Sequence, residues 1–147
     1  NKKTYITDEV DGEEIVSNFL SVGAVGPYYT NEQVASFSNF GSVNVDVFAP
    51  GYEIWSSVPD EKFEFFSGTS MAAPNASAVA TVVRSFFPKL KAHQVKKILM
   101  NSGMPLYPRI KSPESGELVH PKTLSKSGKM VNLYNALIYA SNKSYKK

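Results

Sequence analysis

Residues 63–74 read Phe63-Glu64-Phe65-Phe66-Ser67-Gly68-Thr69-Ser70-Met71-Ala72-Ala73-Pro74, and their reading decides the fold. Phe63 to Phe66 is strand-like, Ser67 to Ser70 is a turn, and a helix follows from about Ser70 to Phe87. That helix is apolar around most of its circumference, with a thin polar strip at Ser77, Thr81, Arg84 and Ser85, so it is expected in an interior. Its many alanines allow a sheet to approach closely. Pro74 lies early, where a missing N–H costs least, and Pro88 stops the helix. A serine at this junction presents its hydroxyl at the end of a sheet. Its backbone N–H lies at a helix start, where unpaired N–H groups and partial positive charge favour a developing oxyanion. This is the layout of serine acyl transfer, with Ser70 as the candidate nucleophile. The bland alternative is that Ser70 only caps the helix. Thr69 is open in the same way, between a second hydroxyl near the oxyanion and an ordinary turn residue.

Working outward, strands are expected near residues 19–25, 44–48, 53–58 and 63–67, each rich in Val, Phe or Ile and bounded by turn residues. A second helix over about 91–102 places Ala92, Val95, Ile98 and Leu99 on one face, and Gly103 fits its C-terminal cap. His93 falls off that stripe beside Lys96 and Lys97, and reads as a solvated histidine. A third helix over about 132–141 has Asn132 as N-cap candidate and Tyr134, Leu137 and Ile138 on one face. Residues 104–127, rich in Pro, Ser, Lys and Gly, are expected to form an exposed loop that contains His120. Trp55 and Tyr107 read as packing residues. The strand and helix order implies an α/β fold with a mainly parallel sheet, truncated so that an edge or face is left bare. Self-association, or added contacts with a second copy, is expected to cover it.

With 147 residues, 42% of them hydrophobic, the chain can bury one sizeable core. It lacks an initiator methionine and a signal-peptide pattern, and reads as a processed product or an expressed segment. No apolar run is long enough to span a bilayer. The absence of cysteine excludes disulfides and thiolate metal sites. The net charge of +3 hides an asymmetry. Residues 1–70 carry three basic and eleven acidic side chains, whereas residues 71–147 carry thirteen basic and two acidic. The basic residues are spread over helices and tail and do not interleave with aromatics, so no nucleic-acid partner is expected.

Gly68-Thr69-Ser70-Met71-Ala72-Ala73-Pro74 resembles G-T-S-M-A-x-P, the nucleophile signature of subtilisin-like serine proteases (subtilases). Phe19-Leu20-Ser21-Val22-Gly23-Ala24-Val25 is similar to the family's V-G-A strand. Ala35-Ser36-Phe37-Ser38-Asn39-Phe40-Gly41 is similar to its A-S-F-S-x-x-G turn. Asp46-Val47-Phe48-Ala49-Pro50-Gly51 is similar to its D-x-x-A-P-G loop. Ile54 to Pro59 matches the strand before the serine hairpin, and Gly128 to Ala136 resembles the closing G-x-x-N-x-x-x-A helix. The likeness covers roughly residues 19 to 140. One departure stands after Pro74, where Asn75-Ala76-Ser77-Ala78 replaces the usual His-Val-[AS]-Gly.

The resemblance implies part of a three-layer fold with a mainly parallel sheet and a buried helix after the nucleophile. It implies that residues 1–147 are the C-terminal portion of one catalytic domain about twice as long. The family's D-[ST]-G and H-G-T-H motifs precede the serine and are absent here. The aspartates are Asp8, Asp11, Asp46 and Asp60, and the histidines His93 and His120 both follow Ser70. Asn1 lies at about the right distance for the family's oxyanion asparagine but lacks the preceding Ala-Gly. The implied activity is endopeptidase hydrolysis of a peptide or protein through an acyl-enzyme on Ser70, with histidine and aspartate outside the chain, which alone is expected to be inactive. Secretion or the cell envelope is the implied location. Calcium is common in the family, but no ligand cluster stands out. Two alternatives remain open. One is a non-catalytic fragment or pseudo-protease scaffold that binds peptides or partners. The other is an α/β-hydrolase elbow, with Glu114 or Glu117 and His120 in superficially suitable order.

Overall fold

The computed structural model describes residues 18–143, together with the backbone of two short strands before them. In chain order the strands are β1 (Glu9–Val10), β2 (Glu13–Glu14), β3 (Val22–Val25), β4 (Val47–Pro50), β5 (Ile54–Val58) and β6 (Lys62–Phe66). Helices α1 (Thr69–Phe86) and α2 (Ala92–Ser102) follow. Then come β7 (Met104–Pro105), β8 (Ile110–Lys111), β9 (Leu118–Val119), a 3-10 turn at Pro121–Thr123, β10 (Lys129–Met130) and α3 (Leu133–Asn142).

The central sheet has the order β3-β4-β10-β7. β3, β4 and β10 run parallel, and β7 closes the edge antiparallel to β10. Alternate side chains of a strand point to opposite faces, and β4 shows what that does here. Val47 and Ala49 enter the helical core with Ala72, Ala76, Val83, Ile98 and Leu99. Phe48, between them, enters a second core with Val25, Val45, Leu106, Ile110 and Leu124. Both faces of the sheet are therefore covered, which is why β4 reads as a continuous apolar run. Gly23 makes room for the Phe48 ring, since an added Cβ would lie 2.4 Å from it.

Four expectations need correction. Residues 104–127 are not simply an exposed loop: Leu106, Ile110 and Leu124 are buried on the second face of the sheet, and Ser125 is buried beneath them. Isolated apolar residues without period roof the sheet one at a time, each from a different short element. Helix α1 is buried on one side only, through Ala72, Ala76 and Val83 against β3 and β4. Ala73, Pro74, Ala78 and Phe86 on its other side are exposed, because no described segment packs there. On α3 the buried residues are Ala136 and Ala140, while Tyr134 and Ile138 point outward. Small residues let α3 sit close to its neighbours, and of the expected face Leu137 alone packs, partly buried, against the same core. On α2, Ala92 is exposed, whereas Val95, Ile98 and Leu99 are buried as expected.

The cap expectations hold. Asn132 Oδ1 accepts the Asn135 N–H at 2.9 Å, and Gly103 terminates α2. Gly103 is also a point of close approach, since an added Cβ would lie 2.7 Å from the Met130 carbonyl oxygen.

Candidate active site

The antiparallel ribbon β5–β6 delivers the chain to Ser67 and Gly68, and α1 begins at Thr69. This turn is fastened to the segment after β4. The Gly68 N–H donates to the Gly51 carbonyl at 2.8 Å. The Glu53 N–H donates to Ser67 Oγ at 2.8 Å. Asn75 Nδ2 donates to the Pro50 carbonyl and to the Met71 carbonyl, each at 3.0 Å. Gly51 permits the approach: a Cβ there would stand 2.7 Å from the Gly68 carbonyl oxygen and 2.8 Å from Ala24 Cβ. The serine turn is thereby seated at the carboxyl ends of β3 and β4, the edge where open α/β sheets bind ligands.

Gly68, not Ser70, occupies the N-cap of α1, and no side chain caps the helix. Ser70 is the second helical residue and is exposed. Among the described residues none hydrogen-bonds its hydroxyl, so the capping role does not apply. The Met71 and Ala72 N–H groups turn back to the Gly68 carbonyl, at 3.0 and 3.3 Å. Helix geometry leaves the Thr69 and Ser70 N–H groups without an i−4 partner, at the positive end of an 18-residue dipole. Pro74 has no N–H to offer the Ser70 carbonyl. Next to that gap, the Asn75 side chain ties the helix to Pro50, so an asparagine where the family has histidine still supplies a donor. Thr69 Oγ1 accepts from Asn39 Nδ2 at 3.4 Å, an exposed contact that links the turn to the 35–41 block.

The histidines lie elsewhere. His93 is at the start of α2 and lines a cavity with Asp46, Lys96, Lys97, Met100, Asn101 and Lys126. Asp46 directly precedes β4, so this cavity is at the amino edge of the parallel strands, opposite Ser70. His120 is not in irregular chain: it caps the 3-10 turn, its Nδ1 accepting the Lys122 N–H at 3.2 Å. Neither imidazole bonds to Ser70, and Glu114, Glu117 and His120 make no relay with it. Asn1, Asp8 and Asp11 lie outside the described residues. Trp55 is exposed on the ribbon, its ring 6.0 Å from Phe63 and 4.6 Å from Phe65, and Tyr107 meets the edge of Tyr29. Among the described residues no group of three His, Cys, Asp or Glu side chains could hold a metal ion.

Asn39 and Gly51 escape the sequence reading as individual residues. A glycine directly after a buried strand and next to a serine turn is the signal for Gly51. For Asn39 there is no local signal, since its contact spans 30 residues. The expectation for the second helix misses Lys96, which is 6% exposed and pairs with Asp46 at 3.1 Å.

A profile of the subtilase family (peptidase S8) matches residues 3–132. Subtilisin DY of Bacillus licheniformis is 37% identical over 86 residues, 58% of this chain and 31% of that protein. The cell wall-associated protease of Bacillus subtilis (strain 168) is 40% identical over 92 residues, 60% of this chain and 10% of that protein. The solved structure of the prenylagaramide maturation protease PagA superposes with a TM-score of 0.64 at 26% identity, over 82% of this chain and 42% of that one. The chain thus spans less than half the length of each of these relatives. The mixed fold with its parallel sheet is shared with such proteases, and no helix among the described residues is long and apolar enough to cross a membrane. The extent of the profile match, together with the seated serine turn, places the chain in the subtilase family.

Proposed function

We propose that this chain carries the nucleophile of a subtilisin-like serine endopeptidase, with Ser70 as the attacking residue. The observation that carries the reading is the exposed, uncapped Ser70 hydroxyl on the first turn of α1, at the carboxyl edge of the sheet. Ser70 Oγ attacks the peptide carbonyl carbon while a base takes its proton. The Ser70 N–H faces the developing oxyanion. The tetrahedral intermediate then collapses, the amine leaves with the proton, and water hydrolyses the acyl-enzyme. A hydroxyl is a weak nucleophile at neutral pH and needs a base within hydrogen-bond reach. No described histidine meets that condition, so the histidine and aspartate are assigned to chain outside these residues. The 147 residues form the C-terminal portion of one catalytic domain and are inactive by themselves. Secretion or attachment to the cell envelope is inferred from the family. In the full-length protein, Ser70→Ala should abolish peptidase activity without unfolding, and a fluorophosphonate should label Ser70. Labelling of another serine instead would defeat the assignment.

The absent base also supports a second reading, a peptide-binding scaffold without catalysis. Intact H-G-T-H and D-[ST]-G motifs upstream in the gene favour the enzyme, and substituted ones the scaffold. In either case the bare side of α1 needs cover from the rest of the domain or a second copy. Sedimentation of the 147-residue chain should show self-association, and a strict monomer at all concentrations would contradict the second-copy arm.

A further inference from the structure

A cavity of about 520 Å³ opens at the carboxyl edge of the sheet, between residues 26–36, Tyr52 and residues 111–116. We propose that it is a side-chain pocket of the substrate groove that takes an aromatic residue of the bound peptide, remote from the scissile bond. This rests on the peptidase reading above.

Position comes first. Gly26 directly follows β3, and Tyr52 lies two residues past β4, so the pocket shares the carboxyl edge of the sheet with Ser70. The segment 50–53 that forms one wall is the segment that seats the serine turn, through Pro50, Gly51 and Glu53. Tyr52 stacks on Phe37, ring centroids 6.4 Å apart at 12°. Phe37 lies two residues before Asn39, which holds Thr69. The Phe37–Tyr52 stack thus stands at one wall of the pocket, on the same sheet edge as the serine turn.

The pocket is built and not merely a gap between loops. The Gly26 N–H closes the 26–33 loop on the Gln33 carbonyl at 2.8 Å, and Gln33 Oε1 accepts the Tyr107 N–H at 3.0 Å. The Lys111 N–H crosses to the Asn31 carbonyl at 2.7 Å, and Lys111 Nζ pairs with Glu32. Both walls are therefore pinned before any ligand arrives, which lowers the ordering cost of binding. The chemistry of the lining selects the guest. Pro27, Tyr28, Tyr52 and Pro113 offer flat ring faces, and Val34 and Ala35 an apolar floor. The two charges on the wall neutralise each other, so a charged side chain gains no counterion. An aromatic side chain does gain ring stacking and apolar burial. The volume fits the range of ligand pockets and leaves room for flanking backbone.

The test uses the full-length protein and an alanine-rich peptide substrate through which one phenylalanine is walked. One position is expected to raise kcat/KM about tenfold over alanine, mainly through KM. Ser36→Trp, which fills the pocket, and Tyr52→Ala, which removes a ring, should each erase that preference. Tyr134→Ala on α3 should retain it. The absence of any preferred position, or a preference that survives both pocket variants, overturns the proposal. Activity that survives Ser70→Ala would instead defeat the peptidase reading, so the two failures are distinguishable.

Discussion

The two edges of the parallel sheet handle polar groups in opposite ways. At the amino edge, Asp46 is 1% exposed and ion-paired, although its Oδ1 accepts no hydrogen bond among the described residues. Its Oδ2 accepts the Ser21 N–H at 2.9 Å and faces Lys96 Nζ at 3.1 Å, and its Oδ1 faces Lys126 Nζ at 3.4 Å. At the carboxyl edge, about 12 Å away along β4, Ser70 is exposed and its hydroxyl has no partner among the described residues. The backbone around it is fastened all the same, by Gly51, Glu53 and Asn75. A buried charge must be paired, because desolvation costs several kcal/mol per ion. Paired and buried charge therefore marks a structural device. A fixed backbone that presents an exposed hydroxyl serves no comparable end within this chain, and it is the feature on which the proposed chemistry rests.

Exchange of the two residues for alanine sharpens that contrast. The largest expected effect on turnover is at Ser70. In the full-length protein, Ser70→Ala should cost about a millionfold in kcat, a magnitude known from subtilisin itself and not obtained from this structure. Its unfolding free energy should change by less than about 0.5 kcal/mol, since an exposed hydroxyl without a partner is removed. A large loss of stability would show that Ser70 is structural after all.

The reverse pattern is expected at Asp46. Asp46→Ala leaves Lys96, 6% exposed, facing Lys126 across the space of the lost carboxylate. Removal of one partner from a buried ion pair costs about 3–5 kcal/mol. Urea unfolding of the variant should show this loss, carried by the midpoint with the slope unchanged. A loss below about 1 kcal/mol would mean that water screens the cluster and that the amino edge is not a buried network.

What the sequence made legible follows the same division. The serine turn depends on neighbours within a few residues, so strand, turn and helix start could all be read from Phe63 to Ala73. The strand expected near residues 44–48 is a local signal as well, and it is observed at Val47–Pro50. The role of Lys96 was hidden, because its partner Asp46 is 50 residues away and a helical projection places a lysine on the polar side. The burial of Leu106, Ile110 and Leu124 was hidden for a similar reason: three apolar residues without period form a roof only once Phe48 lies beneath them. On α3, apolar size misled, since Ala136 and Ala140 make the close contact and Tyr134 stays outside. The missing base for Ser70 was legible as an absence of motifs, and the placement of His93 at the opposite edge gives that absence a geometric counterpart.

The smallest expected effect belongs to a third charge arrangement, the exposed pair of Glu32 and Lys111 on the proposed pocket wall. The hydrogen bond and charge of Lys111 hold the Glu32 carboxyl below its ordinary value of 4.5. A carboxylate whose folded pKa is depressed contributes stability above its unfolded pKa, and loses it as pH falls through the folded value. Glu32→Gln should therefore differ from wild type in full above about pH 4.5, and the two should converge as pH falls through the lowered folded value. Both side chains are solvated, at 47% and 66% exposure for Lys111 and Glu32, so salt should shrink even that difference. Thermal unfolding of both proteins at pH 3 and pH 7, with and without 1 M salt, provides the measurement. A large, salt-insensitive difference at pH 7 would place Glu32 with Asp46 among the buried charges. It would also give the pocket wall a structural duty that the comparison between the two sheet edges does not allow it.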